Sequence, residues 1–66
     1  MKNTLKIERA IKNLTQDDLA RLICVSRQTI NSIESGRYVP STVLALKISK
    51  IFEKPVNEIF ELENSD

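Results

Sequence analysis

Apolar residues fall into five short groups along the chain, most of them preceded by a residue able to cap a helix, and no sustained alternation competes for strand. The pattern predicts an all-α fold. A first helix runs from about Leu5 to Lys12, with Ile7 and Ile11 one turn apart as its inner face and Asn13 as a left-handed end. Thr15 opens a second helix, Asp18 three residues later can answer the cap, and Leu14 can staple onto Leu19. Its buried side is expected to be Leu19, Ala20, Leu22 and Ile23, and "CVS" ends it. The same grammar repeats at once: Ser26 caps a third helix, Val25 and Ile30 stand at staple spacing, and Gly36 closes it. After the loop "RYVP", Ser41 caps a fourth helix with the stripe Leu44, Ala45, Ile48, Ile51 and Phe52. Pro55 starts a brief fifth helix through "VNEIF", and "ELENSD" is polar and expected to fray.

The third helix is unusual. Only Ile30 and Ile33 are available to a core, which turns Arg27, Gln28, Asn31 and Ser32 outward with no acid among them. Such side chains can donate to guanine N7/O6 or exchange paired hydrogen bonds with adenine N6/N7. Charge agrees with that reading only when it is resolved along the chain. The formal net charge is +1, but residues 1–52 carry nine Lys or Arg against four acids, and residues 53–66 carry one against five. A basic body suits a polyanionic partner, and the acidic tail covers about residues 61–66.

Sixty-six residues allow one domain, taken as 1–66. With one cysteine and no histidine, neither an internal disulfide nor a metal site is expected, and no cofactor is implied. An enzyme is not expected either, since a histidine, a Gly-rich phosphate loop and an evident carboxylate pair are all missing. RNA binding is disfavoured because Tyr38, Phe52 and Phe60, the only aromatics, make no evident stacking platform. There is neither an apolar run of membrane-spanning length nor a signal-peptide core at the N-terminus, so the expected location is cytoplasmic.

The stretch "LTQDDLARLICVSRQTINSIESGRYVPS" resembles the helix-turn-helix of Cro/cI-type (XRE-like) transcription regulators of bacteria and phages. Q-x-x-L-A, V-S-x-x-x-I-x-x-I-E-x-G and P-S occur in the family's order and spacing, and the likeness covers about residues 5 to 60. The resemblance implies a compact five-helix, lambda-repressor-like domain with its helix-turn-helix at about residues 16–35. It further implies a homodimer that reads a palindromic operator in double-stranded DNA through the third helix. On this pattern Arg27, Gln28 and Ser32 are the best candidates for base edges, with Thr29 and Asn31 beside them. Gln16, Ser26, Arg37, Tyr38 and Ser41 are candidates for phosphate, although Tyr38 can equally pack on the fourth helix and Ser41 is first a cap. Glu34, an acid on the reading helix, is implied to pair with Arg9 of the first. Two positions depart from the family: Val39 replaces a small polar residue, and Cys24 replaces the glycine usual in the turn. A regulator of this kind would be bacterial, archaeal or phage-encoded and nucleoid-associated when bound.

The main alternative is an antitoxin, or another regulator using this fold against a protein partner. Little chain follows the fifth helix, which favours a minimal repressor, and no effector site is evident. The dimer surface is expected to include Val56, Ile59, Phe60 and Leu62, with room for residues 1–5 to pair as a short strand against 60–62.

Overall fold

The computed structural model describes all 66 residues, Met1–Asp66. Five helices follow one another: α1 (Leu5–Ile11), α2 (Gln16–Leu22), α3 (Arg27–Glu34), α4 (Thr42–Phe52) and α5 (Val56–Ile59). A two-stranded antiparallel ladder of β1 (Lys2–Asn3) and β2 (Phe60–Glu61) joins the ends, pairing Lys2 with Glu61 and Asn3 with Phe60.

Local chemistry sets the helix starts. Thr15 and Asp18 form a reciprocal capping box, in which Thr15 Oγ1 accepts from the Asp18 N–H at 3.0 Å and the Asp18 carboxylate accepts from the Thr15 N–H at 2.9 Å. Ser26 accepts from the Thr29 N–H and Ser41 from the Leu44 N–H, which opens α3 and α4 in the same way. Helix ends use positive φ: Asn13 after α1, Cys24 after α2, Gly36 after α3 and Glu53 after α4.

One core holds the helices. It is built from Leu5, Leu19, Ala20, Ile23, Ile30, Ile33, Ile48, Phe52, Ile59 and Phe60, with Leu14, Val25, Leu44, Ala45, Ile51 and Val56 packed at its margin. Ile30 and Ile33 fix the inner side of α3 against the body, so the opposite side is presented.

Three expectations need correction. Ile7 and Ile11 are 60% and 67% exposed; the inner side of α1 is Leu5, Glu8 and Arg9 instead. Its two charged members are tied inward, Glu8 to Lys54 at 2.8 Å and Arg9 to Glu34, and at 100° per residue that turns the isoleucines roughly to the far side. Leu22 is likewise 53% exposed, because Leu19, Ala20 and Ile23 already fill the space α2 faces. Ile59 and Phe60, expected at a dimer surface, are 1% and 6% exposed within the single chain. They are core residues, and of that set only Leu62 is openly exposed, with Val56 half-buried.

The tail does not simply fray. The Met1 amine lies 3.0 Å from a Glu63 carboxylate oxygen and 3.3 Å from one of Asp66, while Asp66 accepts from the Glu63 N–H at 2.8 Å. These carboxylates raise the amine's pKa above its ordinary value, while the Glu63 N–H, and then the amine, lower that of Asp66.

Candidate nucleic-acid interface

The presented side of α3 carries Arg27, Gln28 and Asn31 fully on the surface, with Thr29 and Ser32 half-buried beside them. Ser26, Gln28, Thr29, Ser32 and Tyr38 together line a shallow concavity where α3 meets the following loop. Not all of these groups are equally available. The Thr29 and Ser26 hydroxyls lie 3.0 Å apart and Ser26 also accepts from the Thr29 N–H, so of the two hydroxyl protons at the start of α3 one stays free to donate outward. Gln28 projects from the first turn of the helix and Asn31 from its middle.

The end of α3 is closed tightly. Ser32 O accepts from the N–H groups of both Arg37 and Tyr38, at 3.0 and 3.2 Å, a reversal that Gly36 permits at φ +79°. That places Arg37 and Tyr38 next to α3, both exposed, with Arg37 Nε donating to Ser35 Oγ at 3.1 Å. Asn3 buttresses the same end from behind, donating to Ile33 O at 2.8 Å while its own carbonyl accepts from the Leu5 N–H. Sequence reasoning missed Asn3, because nothing local marks a strand residue as the support of a helix thirty positions away.

The acid on α3 is neutralised inside the body. Arg9 Nε donates to Glu34 Oε2 at 2.5 Å and Nη2 to Oε1 at 3.1 Å, while Nη1 donates to Leu14 O at 2.9 Å. The two side chains are 14% and 8% exposed. The hydrogen-bonded Glu34 carboxylate pushes the Arg9 pKa further up, so the guanidinium stays charged. Glu34 therefore adds little negative field to the presented side.

Gln16 stands at the first position of α2, half-buried, and joins this pair: its Nε2 donates to Glu34 Oε1 at 3.2 Å, and its Oε1 accepts from Arg27 Nε at 3.4 Å. A single network thus runs from Arg9 of α1 through Glu34 of α3 and Gln16 of α2 to Arg27, the first residue of α3. Asp17 is exposed nearby, and Asp18 is held by its cap.

Two helices, a four-residue turn over 23–26 and an acid-free presented side make a helix-turn-helix, and a helix-turn-helix family model matches residues 5–59. The chain belongs to the XRE-like helix-turn-helix family. It is 53% identical to an uncharacterised HTH-type transcriptional regulator of Methanocaldococcus jannaschii and 44% identical to another, YgzD, of Bacillus subtilis. Both likenesses span all 66 residues and the whole of each relative. It is also 34% identical over 53 residues to the ImmF control region 10 kDa protein of Bacillus phage phi105, covering 80% of this chain and 59% of that protein. This helix-turn-helix regulator has no helix long and apolar enough to cross a membrane.

Proposed function

We propose that this regulator binds double-stranded DNA sequence-specifically as a homodimer on a palindromic operator, with α3 in the major groove, and acts as a repressor. The observation that carries the reading is the presented side of α3: Arg27, Gln28 and Asn31 stand exposed while the helix's only acid, Glu34, is locked onto Arg9. Arg27, Gln28, Asn31 and Ser32 read base edges, with Thr29 adding a methyl or hydroxyl contact. Gln16, Ser26, Arg37, Tyr38 and Ser41 contact phosphates.

A single α3 per copy supports the dimer: a palindrome presents two half-sites roughly 34 Å apart, and a body of 31 × 23 × 20 Å offers one such helix to one of them. Repression needs only occupancy of a site, and the phage relative's name refers to a control region.

Selection of bound sites from random duplex DNA tests this reading. A two-fold symmetric site should be enriched, Arg27→Ala and Gln28→Ala should each relax preference at particular base pairs, and Arg37→Ala should weaken all sequences alike. Enrichment of no sequence, or an unchanged site in both α3 variants, would overturn it.

A further inference from the structure

We infer that Asn3 is a positioning residue for DNA binding: from the terminal ladder it holds the turn that carries Arg37 and Tyr38 towards the phosphates. This rests on the proposal above that those two side chains contact phosphate, and goes beyond it by assigning part of that affinity to a side chain behind the turn.

The turn needs outside support because of what it is made of. Its hinge is Gly36, the chain's only glycine, at φ +79°, and glycine has the widest choice of backbone conformation. From Ser35 to Val39 every residue is exposed, so no burial fixes the direction in which the chain leaves α3 before Pro40. Hydrogen bonds at two carbonyls fix it instead: Ser32 O accepts from the Arg37 and Tyr38 N–H groups, and Ile33 O accepts from the Gly36 N–H at 3.0 Å. Asn3 Nδ2 donates to that same Ile33 O at 2.8 Å and so ties the hinge to the body. The Asn3 side chain is itself oriented, since its carbonyl oxygen accepts from the Leu5 N–H at 3.1 Å and leaves the NH2 to face α3. Behind it the strand is firmly seated: Asn3 pairs with Phe60 in the ladder, the Thr4 N–H donates to Ile59 O at 2.9 Å, and Ile59 and Phe60 are core. Met1 O lies 3.8 Å from where a Gly36 Cβ would stand, so the start of the chain runs alongside the hinge as well. A turn held in one direction before binding leaves less ordering to be done when Arg37 and Tyr38 meet their phosphates.

Asn3→Ser separates the two hydrogen bonds of this side chain. The shorter hydroxyl can still accept from the Leu5 N–H but does not reach Ile33 O. Dissociation constants are measured over a range of salt for the selected operator and for an unrelated duplex. Four proteins are compared: wild type, Asn3→Ser, Arg37→Ala with Tyr38→Phe, and all three changes together. Asn3→Ser should weaken both duplexes alike by about fivefold, the equivalent of about one net hydrogen bond, and reduce the slope of log affinity against log salt by about 0.9, one phosphate contact. In the background lacking Arg37 and the Tyr38 hydroxyl, the same change should weaken binding by less than about twofold. Lost stability alone moves neither the slope nor this coupling, once a thermal melt shows each protein folded at the binding temperature. If Asn3→Ser is unfolded, Asn3→Asp takes its place: it keeps the shape and the acceptor but turns an oxygen towards Ile33 O, and the effect of its added charge is common to both backgrounds and cancels in the coupling. Unchanged affinity and slope, or a loss that persists in full without Arg37 and the Tyr38 hydroxyl, overturns the positioning role. If Arg37→Ala with Tyr38→Phe itself binds as tightly as wild type, the phosphate reading has failed and the inference falls with it, a result distinct from the other two.

Discussion

Cys24 sits at φ 60° in the turn of the helix-turn-helix, where a side chain meets its own backbone and an L-residue is strained by about 1 kcal/mol. Its side chain is exposed, so nothing in the core requires it. Glycine at this position would relieve the strain but add chain entropy to the unfolded state, offsetting about half of the gain. Cys24→Gly should stabilise the domain by about 0.5 kcal/mol, read as a higher urea midpoint at constant slope. Asn13 supplies the internal contrast at φ 55°, since asparagine tolerates the left-handed region, and Asn13→Gly should gain less. A lower midpoint for Cys24→Gly would mean that the thiol packs more than its exposure indicates.

At the scale of elements, caps carry both stability and its pH dependence. The Thr15 N–H, and then the Thr15 hydroxyl, hold the Asp18 carboxyl below its ordinary value of 3.8. A carboxylate whose pKa is lower folded than unfolded contributes stability that is fully present above about pH 4 and lost as pH falls through the folded value. Asp66, also lowered, acts in the same direction. Stability should therefore decline on acidification below pH 4, and Asp18→Asn should flatten part of that limb in urea titrations at stepped pH; an unaltered limb would assign it elsewhere. The caps were legible in the sequence because each is a contact within three residues, as at Thr15, Ser26 and Ser41. The faces of α1 were not. Its isoleucines point outward because Glu8 and Arg9 find partners at Lys54 and Glu34, 46 and 25 residues away, and no window on a single helix contains those partners. The presented side of α3 was legible for the opposite reason: two anchors, Ile30 and Ile33, turn it outward and no acid stands among Arg27, Gln28, Asn31 and Ser32, all within one helix.

For the whole molecule, the proposed dimer needs a surface that the single chain leaves open, and the core removes part of the expected one. Ile59 and Phe60 close the body beneath the terminal ladder, so Ile59→Ala or Phe60→Ala should cost about 3 kcal/mol of folding stability through the cavity left behind. Leu62 lies just past β2, 76% exposed, and is the apolar residue of the expected dimer surface that the fold leaves fully available. Leu62→Glu removes little from the monomer, as a surface change away from caps and core stays within about 0.5 kcal/mol. If the dimer uses this edge, Leu62→Glu should weaken self-association in sedimentation equilibrium and lower operator affinity, while the urea midpoint measured on dilute, monomeric protein stays in place. The two α3 helices must sit about one DNA turn apart, so the loss should be largest on the full palindrome and small on an isolated half-site. Equal losses on both duplexes would place Leu62 in the DNA interface. Unchanged self-association would move the dimer to another exposed apolar face, either the outer side of α1 with Ile7 and Ile11 or that of α4 with Val43 and Leu46.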